Sequence, residues 1–130
     1  MKHLVEQHFV HRDLAARNVL IDSTITCKVA DFGLSRATTV GSGDDGAEYY
    51  RSQRSVFPVR WTSPEAMENG GKFTTASDVW SFGITVIEIY TDGERPYDDI
   101  TSNTELLHAV NTGTRCAKPT SCSDELYDLL

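Results

Sequence analysis

His11-Arg12-Asp13-Leu14-Ala15-Ala16-Arg17-Asn18 is followed at once by the apolar run Val19-Leu20-Ile21. Two polar side chains, Asp13 and Asn18, are thereby confined to one short loop, and the run after them reads as a buried strand. A loop that carries chemistry and opens into a buried element has this pattern.

Working outward, the segments Asn18–Ile21 and Thr26–Ala30 flank the turn-rich Asp22-Ser23-Thr24, which predicts a hairpin. Its second strand delivers Asp31-Phe32-Gly33. A carboxylate followed by an apolar anchor and a flexible Gly suits a metal ligand at the root of a mobile loop. From Leu34 to Ser55 regular periodicity disappears, and Gly41-Ser42-Gly43-Asp44-Asp45-Gly46 is an acidic, flexible tip. Loops of this length within compact domains are usually functional or disordered. On the N-terminal side, Met1, Leu4 and Val5 have helical spacing, so the last turns of a helix are expected to lead into a short strand at Phe9-Val10.

The stretch Asp78 to Tyr90 is apolar nearly all round, with a narrow polar stripe at Ser81, Thr85 and Glu88. Such a helix belongs inside a protein. It begins at a cap among Thr74 to Ser77 and ends at Gly93 and Pro96. Ser102-Asn103-Thr104-Glu105 reads as a capping box for a short amphipathic helix that Gly113 ends, and Ser123 caps about two further turns that run to Leu130.

With 130 residues, 12 basic and 19 acidic, and a net charge of -7, the chain has the size of one small domain and no basic stripe for nucleic acid. The first residues lack the apolar core of a signal peptide, and no uncharged run is long enough to cross a bilayer. Cys27, Cys116 and Cys122 are odd in number and lack zinc spacing, so free thiols in a reducing compartment are expected, with Cys27 a small core residue.

The octet at 11–18, with Asp31-Phe32-Gly33, Ser63-Pro64-Glu65 and Asp78-Val79-Trp80-Ser81-Phe82-Gly83 in the same order and spacing, resembles the protein kinase catalytic domain. The Ala-Ala-Arg filling resembles tyrosine kinases, and Gly93-Glu94-Arg95-Pro96-Tyr97 with the run Lys72 to Ser81 looks most like receptor kinases of the ephrin-receptor kind. The resemblance implies a mainly α fold with short β-hairpins, a protein-kinase-like C-lobe without its N-lobe. Along residues 1–130 it implies the end of helix E, the catalytic loop, an activation segment at 31–65, a central helix at about 77–91, helix G at about 103–112 and the start of helix H. A complete kinase domain is roughly twice this long. The Gly-rich loop, the strand Lys and its partner Glu, which cover the ATP phosphates, are not in this sequence.

The same resemblance assigns roles. Asp13 accepts the proton of a tyrosine hydroxyl, and Asn18 and Asp31 hold magnesium as hard oxygen ligands. Arg17 supplies a permanent cation beside the transferred phosphate. Pro58 and Trp61 form a platform deep enough for a phenol ring, Glu65 is structural and in the family pairs with an Arg further along the chain, and Asp78 anchors the backbone of the catalytic loop. Tyr49 and Tyr50 are candidate phosphorylation sites, with Arg12 and Arg36 as candidate partners of the added phosphate. His11 packs and hydrogen-bonds in the loop.

The cofactors implied are ATP and Mg2+, and the partners are proteins bearing tyrosine. The location implied is the cytoplasmic face of a membrane receptor or the cytosol, with any membrane anchor in an unseen upstream segment. By itself the 130-residue piece is expected to be inactive. The alternative is a noncatalytic kinase C-lobe that serves as a docking or regulatory module. The intact trio Asp13, Asn18 and Asp31 favours the enzyme.

Overall fold

The computed structural model describes residues 1–37, 50–51, 58–68 and 72–130, with 37, 50 and 51 described by their backbone alone. Five helices and three two-stranded antiparallel pairs are found among them. Helix α1 (Lys2–Glu6) leads into β1 (Phe9–Val10), which pairs with β4 (Arg36–Ala37). The hairpin of β2 (Val19–Ile21) and β3 (Cys27–Val29) has Val19 opposite Val29 and Ile21 opposite Cys27. Strand β5 (Tyr50–Arg51) pairs with β6 (Lys72–Phe73). Tyr50 thus enters a short ladder where loop was expected, whereas Tyr49 and the acidic tip at 41–46 lie outside the described residues.

Helix α3 (Thr75–Tyr90) is the longest element, and its ends follow from local chemistry. The Thr74 hydroxyl accepts from the Ser77 amide, and the Ser77 hydroxyl accepts from the Thr74 amide, so two otherwise unmet donors are satisfied reciprocally. At the other end the Gly93 amide donates to the Glu88 carbonyl at 2.8 Å, and Gly93 has φ +85°, a conformation that costs a side chain far more than it costs glycine. Ile84 on this helix packs with Tyr97, Ile100 and with Leu106 and Val110 of α4 (Asn103–Asn111) to form the main core. A second cluster joins Val10, Phe73 and Ala66, which lies on α2 (Pro64–Glu68).

Several expectations need correction. The polar stripe of α3 is its inner face: Asp78, Ser81, Thr85 and Glu88 are buried, whereas Val79, Phe82 and Ile89 are exposed. Asp78 and Glu88 accept there from backbone amides and the Trp61 indole, Ser81 donates to the Trp61 carbonyl, and Thr85 donates to the helix's own Ser81 carbonyl, so the polar side chains have partners on that side. Strand β2 is not buried either, with Leu20 58% and Ile21 66% exposed: consecutive strand residues point to opposite faces, so neither face of the hairpin is covered there by the described residues. For the same reason Cys27 on β3 is an exposed thiol and not a core residue. Helix α5 (Asp124–Tyr127) ends three residues before Leu130 instead of running through it. Ser102 caps α4 by accepting from the Glu105 amide at 3.4 Å, the forward half of the expected box.

The hairpin turn is held by one carboxylate. Asp22 Oδ1 accepts from the Thr24 amide and hydroxyl and from the Thr26 amide, and Oδ2 pairs with Lys28 at 3.0 Å. The Thr24 hydroxyl and Lys28 lower its pKa most, and all these donors together hold it at about 2. A lowered folded value means that this contribution is present above the ordinary carboxylate value near 3.8 and is lost as pH falls through about 2. An NMR titration of the Asp22 carboxyl should therefore have its midpoint near 2; a midpoint near 3.8 would show that the turn is not held this way.

Candidate active site

The catalytic-type loop is fixed from below by α3. Asp78 is 2% exposed, and its two oxygens accept from the His11 amide at 2.7 Å and the Arg12 amide at 2.9 Å. Burial pushes the Asp78 carboxyl above its ordinary value, and the two amides oppose that push by bonding the ionised form. Their help is needed locally, because Arg12 has φ +72°, a left-handed conformation that costs a non-glycine residue roughly 1–2 kcal/mol. The Arg12 side chain is buried as well, donating to the Leu34 carbonyl at 3.0 Å and lying 4.7 Å over the Phe73 ring.

His11 occupies the loop as a packing residue. It is fully buried, Nδ1 accepts from the Asp13 amide at 3.3 Å, and Nε2 lies 3.0 Å from the Ala30 carbonyl. With the Asp13 amide donating to Nδ1, Nε2 is the ring nitrogen that donates to the Ala30 carbonyl. Its edge meets Phe32, with centroids 4.9 Å apart, so one imidazole ties the loop to the segment that carries Asp31.

Two hydrogen bonds to backbone carbonyls join the stretches that carry Asp13, Asn18 and Asp31, and a third bond fixes Asp31 locally. Asn18 is buried and its Nδ2 donates to the Asp13 carbonyl at 2.7 Å, which leaves Oδ1 as the acceptor end of the amide. The Asn18 carbonyl in turn accepts from the Ala30 amide at 2.8 Å, one residue before Asp31. Asp31 is exposed and left-handed, with φ +58°, and its Oδ1 accepts from the Gly33 amide at 3.2 Å. A Cβ on Gly33 would sit 3.0 Å from that same oxygen, so a side chain there would need the Asp31 carboxylate to give way by a few tenths of an ångström.

Arg17 pairs with Asp13 through Nη2 and Oδ1, and its guanidinium lies 4.8 Å over the ring of Trp61. Trp61 belongs to the turn Val59–Trp61 that follows Pro58. The Pro58–Trp61 shelf therefore borders the loop through Arg17. Arg36 is turned onto its own segment, donating to the carbonyls of Ser35 at 2.7 Å and Gly33 at 3.3 Å. Glu65 is exposed on α2, and the Ser63 hydroxyl, fully buried, meets no hydrogen-bond partner among the described residues.

Two residues outside the candidate set shape the site. Arg60 is buried and donates to the carbonyls of Pro96, Tyr97 and Ile100, tying the shelf to the segment between α3 and α4. Glu88 accepts from the Ala16 amide and from Trp61 Nε1. The sequence marked Glu88 only as part of a stripe, and Arg60 carried no signal at all beyond its place between Val59 and Trp61.

The sequence profile described as "Protein tyrosine and serine/threonine kinase" matches residues 1–130. The chain is 48% identical over its whole length to "Ephrin type-B receptor 4b" of Danio rerio and to "Ephrin type-A receptor 5" of Homo sapiens, and 46% identical to "Ephrin type-A receptor 7" of Gallus gallus. It spans 12–13% of the length of these relatives. The chain belongs to the protein tyrosine and serine/threonine kinase family. Among the described residues no helix is long and apolar enough to cross a membrane.

Asp78→Asn replaces one acceptor oxygen by a donor and leaves a buried backbone N–H unmet, at a cost of about 1–3 kcal/mol. Thermal unfolding of the variant should show that loss, and a melting temperature unchanged from the wild type would contradict the anchoring role.

Proposed function

We propose that this member of the kinase family is part of a protein-tyrosine kinase catalytic domain, which transfers the γ-phosphate of ATP to tyrosine hydroxyls in proteins. The observation that best supports the reading is Asn18: its side chain donates to the Asp13 carbonyl and its own carbonyl accepts from the Ala30 amide, so hydrogen bonds join the stretches that carry the base candidate and the ligand candidates.

Each residue then has a task. Asp13 accepts a hydrogen bond from the attacking tyrosine hydroxyl and takes its proton as the new oxygen–phosphorus bond forms and ADP leaves. Arg17, already beside Asp13 and Trp61, places a permanent cation next to the transferred phosphoryl group. The Pro58–Trp61 shelf receives the phenol ring. Asn18 Oδ1 and the Asp31 carboxylate would hold Mg2+, and they suit it because both are hard oxygen donors. Mg2+ is commonly held by one or two protein oxygens together with substrate phosphates. When bound, it neutralises charge on the phosphates.

In this reading the chain is the larger, helical lobe, with the activation segment at 31–65 and α3 as its central helix. The smaller lobe would cover the exposed hairpin residues Leu20, Ile21 and Ile25 and the ATP phosphates. Tyr49 and Tyr50 are phosphorylation sites of the activation segment, and Arg12 and Arg36 are the candidate partners of the added phosphate. The domain lies on the cytoplasmic face, as part of a membrane receptor. The 130-residue chain by itself neither binds ATP tightly nor transfers phosphate.

Asp13→Asn in the complete catalytic domain should lower the rate of phosphorylation of a tyrosine peptide by about 10²–10⁴-fold, the size of effect expected for a positioned base. Full activity of that variant, or turnover by the 130-residue chain that Asp13→Asn abolishes, would contradict the reading.

A further inference from the structure

Glu88 takes no part in the reaction as described, yet it is 9% exposed and two N–H groups converge on one of its oxygens. Ala16 donates to Oε2 from the backbone at 2.8 Å, and Trp61 donates to the same atom from Nε1 at 2.9 Å. Ala16 opens the 3-10 turn Ala16–Asn18 and immediately precedes Arg17. Trp61 carries the ring beneath the Arg17 guanidinium. A single buried oxygen therefore sets both the backbone origin of Arg17 and the surface on which its charged end rests.

We propose that Glu88 is a positioning residue that registers the catalytic loop against the Val59–Trp61 turn and so holds Arg17 against Asp13. The Arg17 side chain is 44% exposed, so water competes for the guanidinium wherever the Trp61 ring or the loop shifts. A carboxylate suits the task because charge-assisted bonds to one oxygen are shorter and stiffer than bonds to a neutral amide. A second tie acts alongside it: the Ser81 hydroxyl, on the same face of α3, donates to the Trp61 carbonyl at 2.7 Å. Ser81 fixes the backbone of Trp61, and Glu88 fixes its ring.

The consequence for turnover rests on the kinase reading, but the geometry does not, and two measurements separate them. In the complete catalytic domain, Glu88→Ala should lower kcat for a tyrosine peptide by about 10–100-fold, the scale of a small misplacement of a catalytic group. Glu88→Gln, which keeps an acceptor oxygen, should recover most of that loss, and KM for ATP should stay the same in both. Trp61→Phe, which keeps a ring and removes the donor, should add little in the Glu88→Ala background, because both changes break one unit. The second measurement needs no activity: the indole N–H resonance of Trp61, assigned by its loss in Trp61→Phe, should shift in Glu88→Ala while that of Trp80 does not. Multiplicative losses for the two variants, Gln no better than Ala, or an unmoved Trp61 resonance would each overturn the positioning role. If the unaltered domain transfers no phosphate while the Trp61 resonance still moves, the kinase reading fails and the positioning geometry stands.

Discussion

One buried carboxylate holds the loop on which the site depends. Asp78 has almost no contact with water, and it meets two consecutive amides, those of His11 and Arg12, with one oxygen each. Neither amide belongs to a helix or a ladder that could satisfy it in another way. Removing the anchor leaves the left-handed backbone of Arg12 without the bonds that hold its amide and that of His11, and Asp13 is the next residue. The position of the candidate base is thus set from a helix 65 residues further along the chain, by the spacing of Asp13 and Asp78.

The same logic extends along α3. Asp78, Ser81, Thr85 and Glu88 recur at i, i+3, i+7 and i+10, which is one face of a helix, and from Asp78 to Glu88 that face spans about 15 Å. At its first turn the face binds His11 and Arg12, in the middle Trp61, and at the end Ala16 and Trp61 again. The loop and the shelf are therefore mounted on a common rigid rod. Mounting an irregular segment on a helix is what lets a strained residue such as Arg12 persist.

Much of this was readable in the sequence. The hairpin around Asp22, the helix after Thr74 and the cap at Ser123 follow from turn and capping chemistry, which is local. The facing of α3 was not readable, because periodicity reports which residues share a face and not which face turns inward. An apolar helix with a polar stripe is ordinarily placed stripe-outward or wholly buried, and here long-range amides reverse it. The exposure of Leu20, Ile21 and Cys27 was missed for a related reason: an apolar run signals burial only if something covers it. Among site residues, Asp13, Asn18 and Asp31 stood out because they sit in motifs, whereas Arg60 and Glu88 act through partners 27 to 72 positions away in sequence and leave no local mark.

Amide hydrogen exchange at His11 and Arg12, compared between the wild type and Asp78→Asn, tests the anchor most directly. The account predicts that both amides are strongly protected in the wild type and lose that protection in the variant, while the amides in the middle of α3 keep theirs. Equal exchange at His11 and Arg12 in the two proteins would mean that something other than Asp78 holds the loop.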